Sequence, residues 1–398
     1  ILYAKILYLE VYFKFRVRKF MKLFKSLLVA PATLGLLAPM SATANEVTIN
    51  DFNPAEELAI TNSRVDGLEA RLNNFEAGSF SSTTSAAFSV DFAIGAVDGK
   101  GVTTKRLSNT DFKTDGDETV QTAYGYQIDL STSFTGEDAL SVSLDAGAGG
   151  SALGELDLNS GGDQLTVDGI TYSFPLGDKI TVLVGDSTDG SALYSTACVY
   201  GGFTNTLDDC GNYSSAFTTT GTSSVGFSAS YDIGGGYSAA IGYAGAGTGA
   251  GIGTKAGTDY FGGQLAYTGD NFGASFTYAD LDTKRAYGIN SYVAFDSNLP
   301  SLSFGYEFTA MRENEIKDDT QWFAGLQWDE IGPGTLGIAA GNKGPQKDGG
   351  TEEFAYEAFY AYSVNDSMTI TPAVFILENN LADEVDETGI VVKTSFSF

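Results

Sequence analysis

The sequence predicts an all-β fold, a 16-stranded antiparallel transmembrane β-barrel with a short N-terminal coiled-coil helix. Three observations carry the prediction. From residue 79 onward, short segments alternate apolar and polar side chains with a period of two; sixteen can be counted, an even number as a closed antiparallel barrel requires. The connections between them alternate between tight turns and mostly longer loops, which puts turns on one rim and loops on the other. The last segment, Gly389 to Phe398, sets Ile390, Val392, Thr394, Phe396 and Phe398 on one side and Val391, Lys393, Ser395 and Ser397 on the other. A period of two carried through to an aromatic means that this segment is paired, and about ten residues suffice for a tilted strand to cross a bilayer. Taken alone, the same segment would also suit the edge of a soluble sandwich.

Residues 1–20 are basic and apolar and do not begin with Met, so they read as an upstream leader outside the mature protein. A membrane span is the alternative, but four of the last seven residues are basic. Residues 21–44 place Lys22 and Lys25 ahead of an apolar run from Leu27 to Leu37, followed by Ala42-Thr43-Ala44. That order is a secretory signal peptide with its small-residue cleavage site. Residues 45–57 form a polar linker without periodicity. Over 58–77 the period changes: Leu58, Thr61, Val65, Leu68, Leu72 and Phe75 recur at alternating spacings of three and four, the seam of a coiled coil. Arg64 with Glu69, and Arg71 with Glu76, flank the seam one heptad apart. A helix of about 20 residues is marginal alone, so it implies either association between chains or docking on, or inside, its own barrel.

The barrel occupies 80–398. Its alternating segments are 88–97, 124–134, 139–148, 170–177, 179–186, 224–233, 236–245, 259–269, 271–280, 286–296, 301–310, 321–330, 335–343, 353–363, 368–377 and 389–398. In 321–330, Trp322, Ala324, Leu326 and Trp328 share the face expected to meet lipid, against Gln321, Phe323, Gly325 and Gln327 inside. Aromatics such as Tyr124, Tyr126, Tyr231, Tyr237 and Trp328 stand near segment ends, where membrane barrels carry aromatic girdles. Inward positions are polar or small, as a wide, wet lumen needs and a dry core does not.

Charge and composition exclude several functions. The chain has 22 basic and 50 acidic residues; residues 1–44 hold seven of the former and one of the latter, leaving 15 against 49 and a net charge of −34. Nucleic acid is excluded as a partner, because phosphate binding needs a basic surface. There is no His, so imidazole catalysis and imidazole metal sites are unavailable; an enzyme would be left with carboxylate or Ser-Lys chemistry, Lys is scarce among the strands, and no enzyme activity or cofactor is expected. Inward candidates for the lumen wall are Asp91, Asp129, Asp145, Glu307 and Glu357, with Lys393 the base among them. Rings of carboxylates favour cations. The longest connection, 187–223, holds Asp189, Asp208 and Asp209 together with the two cysteines, Cys198 and Cys210. In an exported chain this pair favours a disulfide over two free thiols.

The stretches MKLFKSLLVAPATLGLLAP, SRVDGLEARLNNFEAGSFSSTT and AFSVDFAIGAVDG resemble the porins of marine cyanobacteria. That group is allied to carbohydrate-selective OprB-type porins and is often labelled iron-uptake porins. The closing strand resembles that of bacterial outer-membrane barrels, in which a terminal aromatic, here Phe398 with Phe396 two positions before it, is an assembly signal. The resemblance implies a homotrimer in outer-membrane lipid whose water-filled channel passes small hydrophilic solutes and ions, carbohydrates or inorganic ions including iron. It also implies that the third external loop, 187–223, folds inward as a constriction, a loop lying over the rim being the alternative. Family members carry a cell-wall-binding domain between signal and coiled coil; only about a dozen residues fill that interval here, so cell-wall binding is not carried over. The competing expectation is a structural or adhesive surface protein without a channel. A calcium-binding β-solenoid of that class would need tandem GGxGxD repeats, which are missing.

Overall fold

A computed structural model describes residues 84–99, 104–107, 110–113, 119–149, 151–159, 162–208, 210, 225–245, 251–254, 257–295, 299–312, 317–379 and 385–398. The expected leader, signal peptide, linker and coiled-coil helix, with its seam Leu58, Val65, Leu68, Leu72 and Phe75, lie outside the described residues.

Along the chain come β1 (Thr84–Asp98), β2 (Thr104–Leu107), β3 (Thr110–Lys113), β4 (Gln121–Thr132), β5 (Ala139–Ala148), β6 (Thr166–Leu176) and β7 (Ile180–Asp186). They continue with β8 (Val225–Gly234), β9 (Tyr237–Gly245), β10 (Asp259–Thr268), β11 (Phe272–Asp280), β12 (Lys284–Val293) and β13 (Ser301–Met311). The last are β14 (Asp319–Ile331), β15 (Gly334–Asn342), β16 (Gln346–Lys347), β17 (Phe354–Asn365), β18 (Met368–Leu377) and β19 (Glu387–Ser397). Sixteen of these make one closed antiparallel circuit, each paired with the next and β19 returning to β1. The exceptions are β2 and β3, a hairpin of their own in the first long connection, and the two-residue β16, which adds to the start of β14. Closure leaves no strand edge in the circuit, so backbone groups at membrane depth are satisfied by neighbours.

All sixteen expected segments are strands. β6 begins earlier than its alternation indicates, because its pairing with β5 shifts register between Ser143 and Leu144. The connection from β11 to β12 is a turn of Leu281 to Thr283, not a loop. At the seam, Phe92 faces Thr394 and Ala93 faces Lys393. Beyond the last paired residue, Phe398 donates its N–H to the Phe88 carbonyl at 2.9 Å and accepts the Phe88 N–H at 3.2 Å.

The outer face is apolar and uncovered. Leu265 is 61% exposed and Ile241 60%, with Phe276, Ile289 and Phe304 also open. Each large apolar side chain left in water forgoes roughly 1.5–3 kcal/mol, so a band of them marks a lipid-facing surface. Aromatics border the band at both ends. Near the turns, Tyr267 lies between Tyr237 and Phe272 with both centroids 4.8 Å away. Near the long loops, Tyr287 contacts Tyr278 at 5.3 Å and Phe308 at 6.3 Å. These are the two interfacial girdles of a membrane barrel.

Candidate functional site: a lumen narrowed by inward loops

The buried core lies inside the barrel, where two long connections turn inward onto the wall. The second, between β5 and β6, forms a 3-10 helix at Ser151–Leu156. It buries Ala152, Leu153, Leu156 and Leu158, and the Ala152 N–H donates to Gln121 Oε1 on β4 at 3.2 Å. The third, after β7, runs along the inner wall from β8 to β17. Ser228 Oγ receives the Leu193 N–H at 3.3 Å, and Gln264 exchanges two hydrogen bonds with Ser195 at 2.6 and 2.8 Å. Asn290 Nδ2 donates to the Thr196 carbonyl at 2.9 Å, and Ser303 Oγ accepts the N–H groups of Val199 and Tyr200 at 3.2 Å each. Gln327 Oε1 accepts from Gly201 at 2.9 Å. The two loops also meet, the Asn205 N–H reaching the Glu155 carbonyl at 2.8 Å and Thr206 Oγ1 reaching Glu155 Oε2 at 2.7 Å.

Glu357 on β17 is the terminal clamp. Its Oε1 accepts the Tyr200 hydroxyl at 2.8 Å and the Phe203 N–H at 3.0 Å; its Oε2 accepts the Thr204 N–H at 2.8 Å and Thr204 Oγ1 at 2.6 Å. Aromatic rings surround it: Tyr200 packs against Phe323 and Phe359 at 5.3 and 5.9 Å, and Phe203 stacks on Phe359 at 6.1 Å. Lys393 Nζ sits 5.5 Å over the Phe203 ring, a cation–π contact. Burial first, and the neighbouring Glu357 carboxylate second, push the Tyr200 phenol far above its ordinary range, so it stays a donor. The Tyr194 phenol, also in this loop, is raised by burial.

The expected wall carboxylates divide into two groups. Asp91, Asp129 and Asp145 face inward and are half-buried on β1, β4 and β5. Asp129 accepts Gln127 Nε2 at 2.9 and 3.1 Å and Ser143 Oγ at 2.6 Å; Asp145 accepts Thr166 Oγ1 at 2.6 Å. Glu307 and Glu357 face inward too, but the expectation that they wet the wall is corrected. They are only 2% and 3% exposed. Glu357 is occupied by the loop, and Glu307 accepts from Gln321 Nε2 at 3.2 Å. Asp189 and Asp208 are half-buried parts of the inward loop, and Asp209 lies outside the described residues. Cys198 and Cys210 are joined, and both sit in the part of the loop held on the wall. Phe396 is on the outer face with its ring 6.3 Å from Phe92, and Phe398 is 73% exposed at the turn rim.

Sequence reasoning missed the second inward loop and the clamp residues Tyr200 and Thr204. A signal for the loop's path was present in glycines at inward wall positions. A Cβ on Gly242 would collide with the Gly190 carbonyl, and one on Gly305 with the Cys210 carbonyl. Among the described residues, no three Asp, Glu, His or Cys side chains gather as a metal-binding group.

Comparison with known proteins follows the fold. No family model matches the chain. An uncharacterized protein of Nostoc sp. (strain PCC 7120) is 24% identical over 443 residues, spanning 93% of this chain and 75% of that protein. Among solved structures, Pseudomonas putida OprB aligns with a TM-score of 0.57 at 11% identity, covering 79% of this chain and 94% of its own. A variant of the Rh. blastica porin aligns at 0.54 and 13% identity, covering 79% of this chain and all of its own. The chain has the fold of the sixteen-stranded porins.

Proposed function

We propose that the protein is an outer-membrane porin, a non-enzymatic channel through which small hydrophilic solutes and ions diffuse. One observation carries the reading: a wide barrel with an apolar outer band holds two loops against its inner wall, and the half-buried wall positions of β1, β4 and β5 are polar and acidic. The loops set the cross-section, and the strands set what lines it. Asp91, Asp129 and Asp145 stand half-buried on the inner wall, while the inward base Lys393 is turned onto an aromatic ring. That balance favours cations over anions.

The resemblance to cyanobacterial OprB-like and iron-uptake porins supports carbohydrates, inorganic ions or iron as permeants, and together with the coiled-coil seam it supports a homotrimer. Purified protein in planar bilayers should give stepwise conductance, with a reversal potential of cation-selective sign in a salt gradient. A folded, heat-modifiable sample that gives no conductance would sink the channel reading. An anion-selective sign would sink the cation preference alone. Trimer assembly is tested by mass on gels run before and after boiling in SDS.

A further inference from the structure

Acidic as the chain is, at −28 overall, two arginines stand side by side on the outside of the barrel. Along the outward positions of β11, β12 and β13 the charged residues are Asp280, Arg285 and Arg312, the last one step beyond the end of β13. Asp280 and Arg285 are directly paired, and the Arg312 N–H donates to the Thr283 carbonyl at 2.9 Å, which holds it at the same rim. Arg312 donates through Nη2 to both Asp280 oxygens. Arg285 Nε lies 3.7 Å from Asp280 Oδ2, too far for a hydrogen bond. Among the described residues, no second acid pairs with either guanidinium. One carboxylate thus serves two cations, and a positive charge is left over. Both side chains stay open, Arg285 at 50% and Arg312 at 41% exposure.

The surface next to this charge is apolar. One step toward the membrane midplane, Tyr278, Tyr287 and Phe308 form a paired row across the same three strands. One step further, Phe276, Ile289 and Tyr306 form the next row, all of them exposed. Two residues of strand rise about 7 Å, so the guanidiniums stand just above an aromatic girdle, at the depth of lipid headgroups. The guanidinium fork matches phosphate geometry, and basic residues at a membrane surface attract anionic lipid. We infer that Arg285 and Arg312 form a binding site for a phosphate-bearing lipid of the leaflet on the long-loop side. Its headgroup lies on the two guanidiniums, and its chains run over Tyr287, Phe308 and Ile289. A soluble phosphate would use the charge and leave the adjoining apolar rows uncovered. The inference rests on the reading that the outer band is set in a membrane, and it holds whether or not the barrel conducts.

The test titrates the full-length protein in detergent with phosphatidic acid and, separately, with phosphatidylcholine of the same chains, counting bound lipid by native mass spectrometry. The expected result is one saturable phosphatidic acid per chain, preferred over phosphatidylcholine, whose choline caps the phosphate. Arg285→Gln should weaken it about fivefold, and Arg285→Gln with Arg312→Gln about 25-fold. Lys347→Gln, on β16 at the same rim, should leave it unchanged. Arg285→Gln keeps the Arg312–Asp280 pair and carries the test if the double variant does not fold. Equal uptake of the two lipids by the wild type overturns the inference, as does an unchanged preference in both arginine variants. Displacement of the lipid by inorganic phosphate at constant ionic strength overturns it too, the site then taking a free anion. Flotation with phosphatidylcholine vesicles reads the membrane placement separately, so a protein that floats but shows no lipid preference defeats this inference alone.

Discussion

The two walls of the lumen carry the same residue types and use them differently. On β17, Glu357 receives four donors from the inward loop and is sealed from water. On β4, Asp129 receives donors only from its own sheet, Gln127 and Ser143, and stays half open to the channel. The carboxylates do not decide this. Their surroundings do: inward glycines such as Gly242 and Gly305 let a second backbone lie against β9 and β13, and the rings of Phe323, Phe359 and Tyr200 close over the clamp. Where the wall instead presents Ser131, Ser141, Ser143 and Asp145, nothing among the described residues covers it to the same depth. The wall from β8 to β17 is thus a seat for backbone along its length, whereas β4 and β5 seat it only at their loop ends, at Gly125 and Gly147, and leave Asp129, Ser131, Ser141 and Ser143 half-exposed.

Removing the clamp should break this contrast most. Glu357→Ala leaves the Tyr200 hydroxyl, the Thr204 hydroxyl and two N–H groups without their acceptor, a loss of about 3–5 kcal/mol in loop docking. The expected outcome is larger and noisier single-channel conductance from a barrel that still resists SDS before boiling; unchanged conductance would show that the clamp does not hold the loop. Next in size, Cys198→Ser with Cys210→Ser frees the loop's wall-bound segment. By loop-closure entropy the cost is about 2–3 kcal/mol, read as a lower melting temperature that reductant reproduces in the wild type. Tyr200→Phe deletes one hydroxyl bond, worth about 1 kcal/mol, and should raise current noise without changing mean conductance.

On β1, β4 and β5, replacing Asp91, Asp129 and Asp145 together by Asn should cut the cation-to-anion permeability ratio about threefold, with the loop still in place. The reversal potential measures it, and an unmoved potential would assign selectivity to the loop instead. The smallest effect belongs to Asp138, in the turn that joins β4 to β5. Its Oδ1 accepts the Thr135 N–H at 2.7 Å, the main reason its carboxyl titrates far below the ordinary range; burial opposes this, and the Tyr172, Thr135 and Ser133 hydroxyls reinforce it. A depressed folded pKa adds stability above the unfolded value near 3.9 that is lost as pH falls through the lower, folded value. Asp138→Asn should therefore melt below the wild type at neutral pH, and the gap should narrow progressively in acid.

The strands were legible because a period of two is imposed on every residue that faces lipid on one side and the lumen on the other. The circuit, its seam and the cysteine bridge followed from that pattern and from the compartment. The constriction was legible only by resemblance. The bonds that hold it run from wall side chains to loop backbone, and backbone donors leave no mark in composition. For the same reason Glu307 and Glu357 could not be told from Asp129 by sequence: all three sit at inward positions of alternating strands. The inward glycines were the available clue, and alternation analysis discards them as merely small.

The seam between β1 and β19 has a consequence for how such a chain comes into being. Most strand pairs join neighbours through a short connection and can zip locally, whereas Ser89 and Ser397 lie about 300 positions apart. Until they meet, the product is a curled sheet with two unsatisfied edges and an apolar back, the kind of surface that aggregates or recruits a stranger's strand. Annealing that one edge pair converts a sticky ribbon into a container. The kinetics of biogenesis should then show a single late, slow step, and a short peptide copying Gly389–Phe398 should poison it.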